Sequence, residues 1–219
     1  MHIAVLFSGV IRPTCEQVYS NIQNTTNYLR SLGHVVDVYC ITYFGEDSKK
    51  LKSMLVGSGI NFFDMPPVVD PPGNSNGNQF RMMISSETLL ANIENLPTYE
   101  CFIRMRIDCE LLELELPIII EEDVYYAPKT MWGSGLFDNF GFCSPSLYRK
   151  IWNTSNINYN SINPEEMLER KVSCVGVKHK PCNFYLKLFQ SDDLIFTGVP
   201  QWSRKNRIFE YKNEWVRIE

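Results

Sequence analysis

No stretch of the 219 residues is apolar enough to cross a bilayer, for which about 18–20 consecutive apolar residues are needed. The opening run Met1-His2-Ile3-Ala4-Val5-Leu6-Phe7 is too short for a signal-peptide core and lacks a basic leader. It predicts a first buried strand instead. None of the seven cysteines (15, 40, 101, 109, 143, 174 and 182) forms a Cys-x-x-Cys pair, and their number is odd. That spacing argues against a zinc site and against a disulfide framework, and points to reduced thiols in a cytoplasmic setting. The sequons at Asn24-Thr25-Thr26 and Asn153-Thr154-Ser155 therefore read as chance matches. Clustered positive charge is also missing. A formal charge of −4 gives no general case for a nucleic-acid partner, although Arg204, Lys205 and Arg207 offer a local basic group. Gly-x-Gly-x-x-Gly and a Walker lysine motif are both absent, so neither a dinucleotide fingerprint nor a P-loop is supported.

What is present has ordinary globular proportions, 44% hydrophobic and 21% charged, in a length suited to one domain over 1–219. An apolar run over 2–7 ends at Ser8-Gly9. Val18, Ile22, Leu29 and Leu32 then recur at helical spacing across 14–32, with Gly33 placed to stop the helix. Val35 to Ile41 is apolar and rich in β-branched residues. Strand, helix and strand within some 40 residues predict a parallel βαβ opening. A helix over 47–57 and a strand over 60–63 follow. The Pro-, Gly- and Asn-rich segment 66–77 reads as a surface loop, either an active-site lid or an insertion. Further helices are expected over 79–94, 145–153 and 164–173, and strands over 99–108, 123–126, 140–143, 183–189 and 194–198. The pattern is an α/β fold without internal repeats, its mixed, mostly parallel sheet flanked by helices.

The segment Ile103-Arg104-Met105-Arg106-Ile107-Asp108-Cys109-Glu110 is the most informative. It alternates as a strand that carries two arginines on one side and ends in acid, and open α/β sheets bind ligands at that edge. Asp108 and Glu110, two residues apart in an extended chain, form a candidate pair for Mg²⁺ or Mn²⁺ that bridges to a diphosphate. The plainer alternative is arginines paired with surface acids and a solvated acidic run. Ser8, Gly9 and Arg12 offer a second candidate, a strand-end turn with a forked donor for phosphate. Asp138, in Trp132-Gly-Ser-Gly-Leu-Phe-Asp-Asn-Phe-Gly141, is either a two-acceptor group for sugar hydroxyls or a turn cap. Glu165 and Glu166 after Asn163-Pro164 fit a helix first turn, with one glutamate free to face a cleft. His179, Asp192 and Asp193 each read as a late metal ligand or, more simply, as hydrated loop residues.

In order, these segments resemble a family of poorly characterised glycosyltransferases from bacterial surface-polysaccharide and lipopolysaccharide gene sets and some large viruses. The resemblance spans about residues 2–170. It rests on Ile3 to Arg12, Gly33 to Tyr39, Tyr99 to Asp108, Asp138-Asn139-Phe140 and Pro164 to Leu168. Asn139 stands where the family often has Gln, and nothing after 175 matches. The resemblance implies a GT-A-type fold with a nucleotide-binding half over about 1–110 and an acceptor-side half over about 111–219. It also implies a nucleotide-sugar donor, a glycan acceptor and a divalent ion near Asp108, Arg-x-Arg-x-Asp replacing the usual Asp-x-Asp. The setting would be the cytoplasm, the host's if the chain is viral. On this expectation the metal (Asp108, Glu110) and the phosphate-facing groups (Ser8, Gly9, Arg12, Arg104, Arg106) stabilise the departing diphosphate. Asp138 or Glu165 takes the acceptor proton in an inverting reaction. Two rivals are a sugar nucleotidyltransferase, disfavoured by the missing glycine- and lysine-bearing loop, and a non-catalytic carbohydrate- or protein-binding domain.

Overall fold

In a computed structural model of the chain, residues 1–68, 78–93, 98–128, 135–155, 163–189 and 193–197 are described. The βαβ opening is β1 (His2–Ser8), α1 (Cys15–Ser31) and β2 (Val35–Tyr43), followed by α2 (Glu46–Leu55) and β3 (Ile60–Met65). Then come α3 (Asn78–Ala91), β4 (Cys101–Arg106), β5 (Cys109–Leu114), β6 (Val124–Tyr126) and β7 (Phe140–Cys143). The chain continues through α4 (Pro145–Ile151), α5 (Pro164–Cys174), β8 (Lys178–Lys180), β9 (Phe184–Phe189) and β10 (Asp193–Thr197). Local chemistry sets several of these ends. The Thr14 hydroxyl accepts the Gln17 N–H at 3.2 Å to open α1, and Asn163 Oδ1 accepts the Glu166 N–H at 2.7 Å to open α5.

The main sheet runs β3-β2-β1-β4-β7-β6-β8. β3, β2, β1 and β4 are parallel; β7 is antiparallel to both β4 and β6, and β8 lies parallel to β6 at the edge. A second, antiparallel sheet has the order β10-β9-β5.

Strand alternation creates two apolar layers. Ile3, Val5 and Phe7 of β1 and Ile103 and Met105 of β4 pack with Val18, Ile22 and Leu29 of α1 and Leu51 of α2. Ala4, Leu6 and Phe102 face the opposite way, against Met83 of α3, Leu147 and Trp152 at α4, and Met167 and Leu168 of α5. Burying each such large apolar side chain contributes about 1.5–3 kcal/mol, so both faces of the central strands are held firmly. Arg104 and Arg106 share the Phe102 face, the one covered by α3, α4 and α5.

Two expectations need correcting. The strand over 99–108 ends at Arg106; the chain turns at Ile107–Asp108 and restarts as β5 in the other sheet. Glu110 and Glu113 break the apolar pattern of β5, and its partner β9 is distant in sequence, so period alone does not reveal it. The short β8 has no apolar signature and carries His179, which was expected in a loop. The segment 66–77 is described only to residue 68, so its reading as a lid lies outside the described residues from 69 onward.

Candidate functional site

A cleft of about 660 Å³ opens at the C-terminal edge of the parallel strands. Its walls include Ser8, Gly9 and Arg12 after β1, Tyr43 at the end of β2, Arg81 on α3, Arg104 and Arg106 on β4, Asp138 and Asn139 before β7, and Glu165 on α5. Seven of the nine residues proposed from the sequence therefore meet around one cavity. Parallel strands that release their chain ends at one edge make such a crevice.

Arg104 is the most unusual of these side chains. It is 2% exposed, its guanidinium carbon lies 4.6 Å from the centre of the Trp152 ring, and its Nε and Nη1 find no hydrogen-bond acceptor among the described residues. Removing a cation from water costs several kcal/mol even after relaxation, whereas a desolvated cation–π contact returns about 2 kcal/mol. The residue itself lines the cleft, although these two nitrogens are shielded from solvent in this arrangement. The Ser8 hydroxyl, also buried and without a hydrogen-bond partner among the described residues, lines the same cavity.

Arg106 is held from three directions. Its Nε donates to Asp108 Oδ1 at 2.9 Å, its Nη2 to Asp108 Oδ2, and its Nη1 to Asn139 Oδ1 at 2.9 Å. The Arg106 N–H also donates to the Asn139 carbonyl at 3.0 Å, which ties β4 to the loop before β7. Arg12, from the turn after β1, brings its Nε to 3.8 Å from Asp108 Oδ2.

Asp138 and Glu165 form the acidic wall. Burial, with the neighbouring Asp138 charge second, pushes the Glu165 carboxyl up to about 7 from 4.5, against the opposing pull of Arg106. The loop that carries Asp138 is clamped to the first turn of α5. The Leu136 N–H donates to the Glu165 carbonyl at 3.0 Å and the Gly135 N–H to Glu169 Oε2 at 3.0 Å. Gly135 sits at φ +104° so close to α5 that an added Cβ would lie 2.3 Å from the Glu165 carbonyl carbon.

The expected metal pair does not form. Both Asp108 oxygens accept from Arg106, the residue is 1% exposed, and it does not line the cleft. Glu110 leaves in the other sheet, where its Oε1 accepts from Asn24 Nδ2 of α1 at 2.9 Å. The turn at Ile107–Asp108 is the physical reason: it ends the extended register on which two carboxylates on one side depended. Among the described residues no three His, Cys, Asp or Glu side chains converge as a metal site. Asp108 and Glu110 therefore do not fit a shared divalent ion in this arrangement. His179 turns its Nε2 to the Ala127 carbonyl. Asp193 opens β10, while Asp192, Trp132 to Ser134, and Arg204, Lys205 and Arg207 lie outside the described residues.

Sequence reasoning missed Arg81 and Trp152. Arg81 follows a loop and belongs to no motif, and Trp152 reads as plain core. No local signal in the sequence pairs Trp152 with Arg104.

No family model matches this sequence, and no curated protein matches it. Solved structures do. The glycosyltransferase GlyE of Streptococcus pneumoniae TIGR4 aligns at 9% identity over 82% of this chain and 45% of its own, with a TM-score of 0.45. Drosophila β1,4-galactosyltransferase 7, solved with manganese, UDP-Gal and xylobiose, aligns at 9% identity over 82% of this chain and 64% of its own, with a TM-score of 0.46. This chain thus spans less than two thirds of either enzyme. The galactosyltransferase LgtC, solved with donor and acceptor sugar analogues, aligns at 8% identity over 81% of this chain and 73% of its own, with a TM-score of 0.52. With its mixed, mostly parallel seven-stranded sheet flanked by helices, the chain has the GT-A-type fold of that neighbour.

Proposed function

We propose that the chain is a glycosyltransferase that moves a sugar from a nucleotide-diphosphate sugar to a hydroxyl of a glycan acceptor. The observation that carries this reading is one cleft lined by Arg12, Arg81, Arg104 and Arg106 together with Asp138 and Glu165, at the C-terminal edge of a GT-A-type sheet. A diphosphate suits the arginine side because forked guanidinium donors match phosphate oxygens. A polyhydroxylated sugar suits the acidic side, where carboxylates accept from hydroxyls.

The reaction balances as follows. The bond between sugar C1 and the β-phosphate oxygen breaks, and its electron pair leaves with the nucleoside diphosphate. The acceptor oxygen forms a new bond to C1 and loses its proton to a carboxylate. Arg104, two of whose nitrogens find no acceptor among the described residues, lies where charge grows on the departing diphosphate and preorganised donors act most strongly. Glu165, held near 7, loses and regains a proton close to neutral pH, as a general base does; Asp138 beside it orients the hydroxyl. The reading carries a role in polysaccharide assembly and a cytoplasmic setting, supported for the latter by seven free thiols.

A thermal-shift panel of UDP-, GDP-, ADP- and dTDP-sugars, with and without Mn²⁺, tests the donor, because a ligand that binds only the folded state raises its melting temperature. Product analysis then tests the chemistry. At least one donor should bind and give a free nucleoside diphosphate. Release of pyrophosphate from a nucleoside triphosphate would replace this reading with a nucleotidyltransferase. Failure of every nucleotide to bind would leave a non-catalytic domain.

A further inference from the structure

Resting on the donor-site reading above, we infer that this cleft neutralises the diphosphate with arginine side chains instead of a divalent cation, and that Asp108 is a positioning residue that aims Arg106. Three observations carry it. Arg104 is buried at the cleft wall with two donor atoms that find no acceptor among the described residues, beside a Ser8 hydroxyl in the same condition. A buried guanidinium left without an acceptor is costly, and it persists where a ligand completes it. Next, the carboxylate at the strand end is already committed. Asp108 accepts a two-pronged contact from Arg106, with Arg12 3.8 Å away. A divalent ion placed on those oxygens would displace Arg106 and sit close to two guanidinium charges. Glu110, the acid nearest in sequence, is engaged with Asn24 of α1. Last, the charge balance already suits a phosphate. Even with Asp108 set against Arg106, the four arginines that line the cleft outnumber the nearby acids Asp108, Asp138 and Glu165.

Asp108 therefore acts through another residue. It fixes two of the guanidinium nitrogens of Arg106, Asn139 fixes the third, and the remaining N–H bonds stay available to the cleft. Held this way, Arg106 loses little freedom when a phosphate arrives, as preorganised donors should. Arg12, half exposed on the turn after β1, adds a further guanidinium to the same cleft.

Calorimetric titration of the full chain with inorganic pyrophosphate, UDP, GDP and ADP tests this, once in EDTA and once in Mn²⁺. At least one nucleoside diphosphate should bind with dissociation constants that agree within about twofold in the two buffers. Arg104→Met should weaken that binding about tenfold or more, as loss of charge-assisted bonds does. Arg12→Met, at an exposed position, should weaken it in the same direction, and a melting temperature within a few degrees of wild type guards against a folding defect. Asp108→Asn should weaken binding by the same factor in EDTA and in Mn²⁺, with partial recovery in Asp108→Glu. Binding that appears only with Mn²⁺, or an Asp108→Asn loss confined to the Mn²⁺ buffer, would overturn the inference and leave the glycosyltransferase reading standing. No nucleotide binding in either buffer would sink that reading, and this inference with it.

Discussion

Replacement of Gly135 by alanine is the sharpest structural perturbation near the acidic wall. The backbone at φ +104° is a conformation that L side chains rarely adopt, and holding one there costs about 1–3 kcal/mol. The new Cβ would also meet the Glu165 carbonyl carbon at 2.3 Å and the Glu166 nitrogen at 2.5 Å. Both are backbone atoms of a helix first turn and cannot swing aside, so overpacking adds about 1–3 kcal/mol. The combined loss is roughly 2–6 kcal/mol, a large share of the 5–15 kcal/mol typical of a domain. At about 2–4 °C per kcal/mol for this length, the melting temperature should fall on the order of 10 °C. Gly33 provides the control: it sits at φ +82°, and a Cβ there meets nothing within 4 Å. Gly33→Ala should therefore cost only the conformational part, about 1–2 kcal/mol. Differential scanning fluorimetry of both variants separates contact from conformation. The clamp between this loop and α5 is refuted if Gly135→Ala melts no lower than Gly33→Ala.

Other consequences follow from single groups. Because burial and Asp138 hold the Glu165 carboxyl near 7, the folded state binds its proton more tightly than the unfolded chain does. Stability should fall as pH rises from about 4.5 through 7, and Glu165→Gln should melt higher than wild type at pH 8 but not at pH 5; equal melting at both values would contradict the shift. Transfer activity should rise with an apparent midpoint near 7, and Asp138→Asn should move that midpoint acidic without restoring 4.5, since burial is the larger cause. A profile flat from pH 5 to 8 would remove Glu165 from the proton step. Of the seven cysteines only Cys174 is exposed, so Ellman titration of the native protein should find one fast thiol, abolished in Cys174→Ser. More than one fast thiol would show that the cores open more readily than this packing allows.

Much of this arrangement is legible in the residues alone, for reasons that can be named. Val18, Ile22 and Leu29 face one layer, so period found α1, and the alternation of Ile103 and Met105 with Arg104 and Arg106 found β4. Because parallel strands share an edge, locating their ends also brought Ser8, Arg12 and Arg106 to one place. The supposed partnership of Asp108 with Glu110 failed because it depended on the chain staying extended past Arg106, and a two-residue turn is enough to divide neighbours between sheets. β5 escaped notice since its pairing with β9 is a long-range event that leaves only a broken alternation in Cys-Glu-Leu-Leu-Glu-Leu. Nor could Trp152 beneath Arg104 be foreseen, because an aromatic residue that ends a short helix carries the same local pattern whether it meets a methyl group or a cation.

The most direct measurement is a crystal structure of the protein soaked with whichever nucleoside diphosphate binds best. Phosphate oxygens at about 3 Å from guanidinium nitrogens of at least two of Arg12, Arg104 and Arg106 are the result this account requires. A nucleotide seated elsewhere, out of reach of the cleft arginines, would contradict it.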